Sequence, residues 1–302
     1  MTIRILFGLM LIINFACNAQ NSITTNKIVK AKNNKFGVKS ESGTLLIDTI
    51  YGGISFLYNG GRKTLPPNNK ATNRPIEYYV VGNELNQTAI FDKNGKKIFD
   101  FVECFQLEVD EHTKTIVAIN KLKDNQLRST LYEFGGKQIF DTTFENIGYI
   151  NNSDLIALIV EDGQNDEFYL YNPFTKVKLG PYSHFNIYNE DSSPPLGMEK
   201  EDFNKYSSLN LITVRQNLGN EYIWGLIDMK GNELLPVEYT YFRVIGEDMK
   251  KNFIDRASKP EGVDFLFYAY LFNDKSKLLF FDKKMEKYIC ENESRTIVKE
   301  KY

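Results

Sequence analysis

From about residue 27 onward, short runs rich in Ile, Val, Phe and Tyr alternate with polar turns that carry Gly, Asn and Asp. Branched and aromatic side chains fit a pleated, half-buried surface, and Gly or Asn accepts the positive φ that a hairpin turn requires, so these runs read as strands. No segment longer than about ten residues keeps apolar positions at the 3.6-residue period of a capped helix. The pattern therefore predicts an all-β protein.

The pattern also repeats. Its clearest copy runs from Leu209-Asn210-Leu211-Ile212-Thr213-Val214 through Glu221-Tyr222-Ile223-Trp224-Gly225-Leu226-Ile227-Asp228-Met229-Lys230-Gly231 to Pro236 and Tyr239–Ile245. Earlier copies hold Phe36-Gly37-Val38, Ile90-Phe91-Asp92-Lys93-Asn94-Gly95 and Leu131-Tyr132-Glu133-Phe134-Gly135-Gly136; a degenerate one holds Phe168-Tyr169-Leu170-Tyr171, and the last covers Phe265–Tyr270 and Leu278–Asp282. Gly43, Gly95, Gly136, Thr175, Gly231 and Met285 align as equivalent turn positions at unequal intervals, which predicts a constant unit with variable insertions. About six units of three to four strands predict a propeller-like ring, with an open β-solenoid as the alternative. A ring closes its own edges, whereas a solenoid needs covered ends, and the polar tail Glu291–Tyr302 suits either role.

Phe36, Gly37, Trp224, Gly225, Asp228 and Gly231 carry a resemblance. Trp224-Gly225-Leu226-Ile227-Asp228 with Lys230-Gly231, Pro236 and Tyr239 resembles the repeat of the WG-repeat family of bacterial proteins, and Phe36-Gly37-Val38 is a conservative variant of the same step. The likeness weakens along the mature chain: one copy keeps Trp, and two keep the Gly after it. That family is known by its repeat and not by one reaction, so the resemblance implies architecture rather than activity. Physically, a large ring beside a Gly that permits close backbone approach is a packing device, and ligand stacking on Trp224 is the competing role.

Residues 1–19 read as a secretory signal peptide: Arg4 precedes the apolar stretch Ile5–Ile13, and small residues follow. Two processing readings stand. Cleavage after Ala19 releases residues 20–302 as one β-repeat domain; alternatively, Asn14-Phe15-Ala16-Cys17 acts as a lipoprotein box and Cys17 becomes a lipidated anchor. Either way the chain is exported, periplasmic or extracellular, and a membrane is met only through that lipid. Beyond residue 19 no apolar run approaches the roughly 20 residues of a spanning helix. Cys104 and Cys290 remain, as two buried thiols or as a bridge from an early segment to the last.

Lys plus Arg number 37 against 39 Asp plus Glu, for a net charge of -2, so no single-sign field favours a nucleic-acid partner. A hydrophobic fraction of 42% is enough for a large core and excludes global disorder. No Gly-x-Ser-x-Gly elbow, P-loop, His-Glu-x-x-His or Cys-x-x-Cys is present, His112 and His184 stand apart, and Asp162–Glu167 lacks the alternating acids of a calcium loop. Neither cofactor nor metal is expected. The best functional clue is three insertions, expected between one unit's last strand and the next unit's first and therefore on one face. Residues 58–76 are basic, with Arg62, Lys63, Lys70 and Arg74; residues 189–207 are acidic, with Glu190, Asp191, Glu199, Glu201 and Asp202; residues 246–262 are charge-balanced. The expectation is a non-catalytic binding or scaffold module of the bacterial envelope or extracellular space, its partner a protein or an envelope glycan. The alternative is an envelope hydrolase or lyase with acids on the insertion face.

Overall fold

A computed structural model describes residues 26–58, 76–122, 124–162, 165–190, 200–291 and 296–300. It is all-β apart from short helical segments, and its contacts divide it into two compact halves, Met1–Ile147 and Gly148–Tyr302.

The first half holds three antiparallel sheets. The first contains β1 (Lys27–Lys30), β2 (Phe36–Lys39) and β3 (Leu45–Tyr51); the second, β4 (Gly53–Tyr58), β5 (Ile76–Gly82), β6 (Gln87–Asp92) and β7 (Lys97–Glu103); the third, β8 (Gln106–Asp110), β9 (Thr115–Lys121) and β10 (Leu127–Glu133). In the second half, β11 (Asn146–Tyr149), β12 (Ile156–Asp162), β13 (Asn165–Asn172) and β14 (Val177–Tyr182) make a fourth sheet whose first strand begins at the junction. The fifth contains β15 (His184–Tyr188), β16 (Leu211–Leu218), β17 (Glu221–Asp228) and β18 (Glu233–Val244). It is one eight-stranded sheet, continuing through β18 into β19 (Phe265–Leu271), β20 (Asp274–Asp282), β21 (Lys287–Glu291) and β22 (Thr296–Lys299), and this outer part, from β18 on, is called the sixth sheet below. β18 serves both because Tyr239 pairs with Trp224 on one side and Leu271 on the other.

The predicted turns close by one scheme. Ser40, Asp92, Glu133, Asp228 and Asp282 each donate their N–H to the carbonyl four residues on, at 2.8–3.3 Å, and accept from the residue three on. That acceptor's partner is Gly43, Gly95, Gly136, Gly231 or Met285, with φ between 60 and 89°, as a turn with a left-handed last residue demands. In the fourth sheet the turn is longer: Lys176 donates to the Asn172 carbonyl at 2.9 Å and holds φ 61°. The left-handed position there is Lys176, one residue past the predicted Thr175.

These turns seat on the neighbouring sheet. A Cβ added to Gly95 would lie 2.2 Å from the Leu46 carbonyl oxygen, the Gly135 N–H donates to the Ile98 carbonyl at 2.7 Å, and a Cβ on Gly231 would meet Leu179 and Leu155 at 3.1 Å. Leu46, Ile98 and Leu179 each lie three residues past the left-handed position of their own sheet. The same junction therefore recurs.

Sheets bury both faces because successive side chains point opposite ways. In β5, Tyr79 and Val81 join Val38 and Ile47 of the first sheet, while Tyr78 joins Leu107, Val109 and Ile116 of the third. In β16, Ile212 and Val214 face Leu155 and Leu170 of the fourth sheet; Leu211, on the alternate face, joins Phe267 and Phe281 of the sixth. Phe280 and Phe281 are both completely buried, on opposite faces of β20, each worth about 1.5–3 kcal/mol.

One expectation is corrected. The insertions lie inside sheets, not between them: 59–75 separate β4 from β5, 189–210 separate β15 from β16, and 245–264 separate β18 from β19. The chain crosses to the next sheet just after Tyr51, just after Tyr182 or along β18, so each insertion joins a sheet's first strand to its second. The three connections remain equivalent to one another.

Candidate binding surface

The second insertion contains a helix. Its latter half forms the helix Lys200–Ser207, on which Glu201 and Asp202 fall, and the helix is anchored by Phe203 and Tyr206, each 3% exposed. Phe203 stacks on Tyr188 with ring centroids 6.0 Å apart, and Tyr206 lies against Phe267 at 5.8 Å. Burial pushes the Tyr188 phenol up to about 12. The Tyr206 hydroxyl donates to the Ile245 carbonyl at 2.7 Å, immediately before the third insertion.

That third insertion folds as a helix at Glu247–Asn252 and a 3-10 turn at Ile254–Arg256. Ile254 is buried, Phe253 stacks on Phe280 at 5.8 Å, and Met249, Ala257 and Val263 pack on the same cluster as Phe265, Leu278 and Ile297. The Ile297 N–H donates to the Ser258 carbonyl at 2.7 Å. The insertion thus covers the face of the sixth sheet opposite the one packed on the fifth. Lys250, Asn252, Asp255, Arg256 and Lys259 stay exposed on it, with Lys259 3.6 Å from Asp255.

Glu190 is exposed at the edge of the described residues. Asp191, Glu199, the basic set Arg62, Lys63, Lys70 and Arg74, and the leader with Cys17 lie outside them. Within the second half, the Tyr206–Ile245 hydrogen bond ties the second insertion to the strand end from which the third departs.

The repeat residues occupy matching places. Phe36 pairs with Tyr51 and Val38 with Ile47; Trp224 pairs with Tyr239 and Leu226 with Leu235. In each case the facing strand carries a bulge opposite the glycine. A Cβ on Gly37 would stand 2.5 Å from the Ile47 carbonyl oxygen, and one on Gly225 2.9 Å from that of Leu235. Asp228 Oδ1 accepts the N–H groups of Lys230 and Asn232 at 2.8 and 2.9 Å, shaping the turn that ends at Gly231. Trp224 is half-buried, packed on the fifth–sixth core, and its ring also lies beside Arg215, whose guanidinium carbon is 5.5 Å from the Trp224 centroid and 4.4 Å from that of Tyr222. Neither Arg215 nor Tyr222 stands out from sequence composition. The Gly219-Asn220 turn between their strands is the signal that sets Arg215 opposite Trp224.

His112 is exposed, and His184 is half-buried with Nε2 3.1 Å from Asn186 Oδ1. Cys104 and Cys290 are not bridged to each other, and burial pushes the Cys104 thiol up to about 11. Asp162 pairs with Asn165 across the β12–β13 hairpin. Among the described residues no cluster of His, Cys, Asp and Glu could hold a metal ion, and no helix is long and apolar enough to cross a membrane.

No protein-family model and no curated protein matches the chain. Among solved structures it is similar to the β-propeller domain of the trilobed protease from Pyrococcus furiosus, at 11% identity over 68% of this chain and 65% of that one, with a TM-score of 0.27. It is also similar to the tricorn protease, at 10% identity over 87% and 37% with a TM-score of 0.30. A putative TolB from Agrobacterium tumefaciens aligns at 9% identity over 87% of both chains, with a TM-score of 0.25. The chain spans less than two thirds of the length of either protease chain.

Proposed function

We propose that this chain is a non-catalytic binding or scaffold module, built from six WG-like repeat units, which acts after export in the bacterial envelope or extracellular space and meets a protein or glycan through its insertions. One observation carries the reading: the second and third insertions are fastened to the core by Phe203, Tyr206, Phe253 and Ile254. A surface whose side chains are already ordered gives up less entropy on binding than a free loop does.

Excising residues 190–206 would remove Phe203 and Tyr206 and confound binding with unfolding. The test keeps those anchors. Residues 20–302, with and without Lys250→Glu and Arg256→Glu, are used to capture partners from envelope extract, and both proteins are checked for the same cooperative melt. Loss of a captured partner in the double variant supports the reading. Identical capture by both would refute a role for this insertion surface.

A further inference from the structure

One sheet face carries a polar group of residues that the core does not explain. Antiparallel partners point to the same face, and the register sets His184 opposite Arg215 and Arg215 opposite Trp224. One step along, Asn186 is opposite Thr213, and Tyr222 lies beside Trp224 on β17. In β16 the series Leu211, Thr213, Arg215 therefore runs from the apolar interior toward the strand's outer part.

One member has unused hydrogen-bonding capacity. Arg215 donates from Nε to Ser183 Oγ at 3.2 Å, and its remaining contacts are the two aromatic rings; no carboxylate is paired with it. Its terminal nitrogens are without a protein partner among the described residues. The Thr213 hydroxyl, on a side chain only 3% exposed, lies by the Tyr188 phenol, whose rise it tempers. A half-buried guanidinium without its counter-charge is destabilising, and a ligand carboxylate relieves it.

From this we infer that the Arg215 face of the fifth sheet binds a carboxylate. Rings against the guanidinium hold its plane and leave the in-plane N–H groups to a ligand, which suits the two parallel hydrogen bonds of a carboxylate. Tyr222, 54% exposed, leaves the approach open at the strand end. The site is separate from the insertion surface and stands or falls independently of it.

Trp224 is the chain's single tryptophan, so its fluorescence reports on this place alone. Sodium glucuronate and sodium acetate are titrated into residues 20–302 at constant ionic strength balanced with chloride, with inorganic phosphate as a third arm. The expected result is a saturable change in Trp224 emission with a carboxylate, weakened about tenfold or more in Arg215→Gln, the effect of losing a charge-assisted pair. Saturation by glucuronate but not acetate would assign the carboxylate to a sugar acid; saturation by both assigns the carboxylate alone. No saturable change, a change that persists in Arg215→Gln, or tighter binding of phosphate than of either carboxylate would overturn the inference.

Discussion

Replacing Gly225 by Ala tests the reason for a glycine beside the tryptophan. The backbone there is in an ordinary extended conformation, so the penalty is steric. An added methyl would sit 2.9 Å from the Leu235 carbonyl oxygen, 2.8 Å from Val237 Cγ2 and 3.0 Å from the Pro236 carbonyl carbon. Restoring ordinary contact requires β18 to retreat by about half an ångström. That strand is pinned by Trp224–Tyr239 and Leu226–Leu235 pairing on this side and by β19 on the other, so it cannot move alone. Overpacking of this kind costs about 1–3 kcal/mol, offset by roughly 0.5–1 kcal/mol from the lower chain entropy of unfolded Ala, for a net loss of about 1–2 kcal/mol. For a half of this size that is a fall of roughly 2–8 °C in melting temperature. Gly148→Ala is the control, since a Cβ there meets nothing within 4 Å. Circular dichroism and Trp224 fluorescence melts measure both. The reasoning is refuted if Gly225→Ala melts at or above the parent, or if the control falls by as much.

Asp228→Ala removes the acceptor for two backbone N–H groups and for the Asn232 amide, and should lower urea stability by about 1–2 kcal/mol. The Tyr188 phenol, raised to about 12 by burial, favours the folded state while it is protonated. That contribution is intact below the unfolded value near 10 and is lost as pH rises toward 12, so the parent should lose stability between those pH values faster than Tyr188→Phe in urea titrations at each pH. With a thiol pushed up to about 11, Cys104 is only about one-thousandth thiolate at pH 8; a chromogenic disulfide should label it far more slowly than it labels the urea-unfolded chain, and comparable rates would contradict its burial.

What the sequence revealed follows from where the chemistry is local. Four of the five turn positions were legible because a left-handed residue closing a four-residue turn favours Gly; the fifth, Met285, was legible from its place after Asp282, whose carboxylate, like those of Asp92 and Asp228, accepts two N–H groups of the turn. The fourth turn was misplaced by one residue because its left-handed position is held by Lys176, which carries no such signature. The dual role of Glu233–Val244 was hidden since one apolar run reads as one strand, whichever sheets it joins. The helices at Lys200–Ser207 and Glu247–Asn252 are too short to display a period, and their stability comes from aromatic anchors that touch residues far along the chain. Candidate charges on the insertions were visible as composition, but the face made by Arg215, Tyr222 and Trp224 depends on cross-strand register.

The third insertion bears on self-association. A β-sheet face bearing Phe265, Leu278, Phe280 and Ile297 is the kind of apolar surface onto which another copy could add. Residues 246–262 occupy that surface within the chain itself. Loosening them, for example with Ile254→Asp, should expose that apolar face, and light scattering against the parent would read any gain in association.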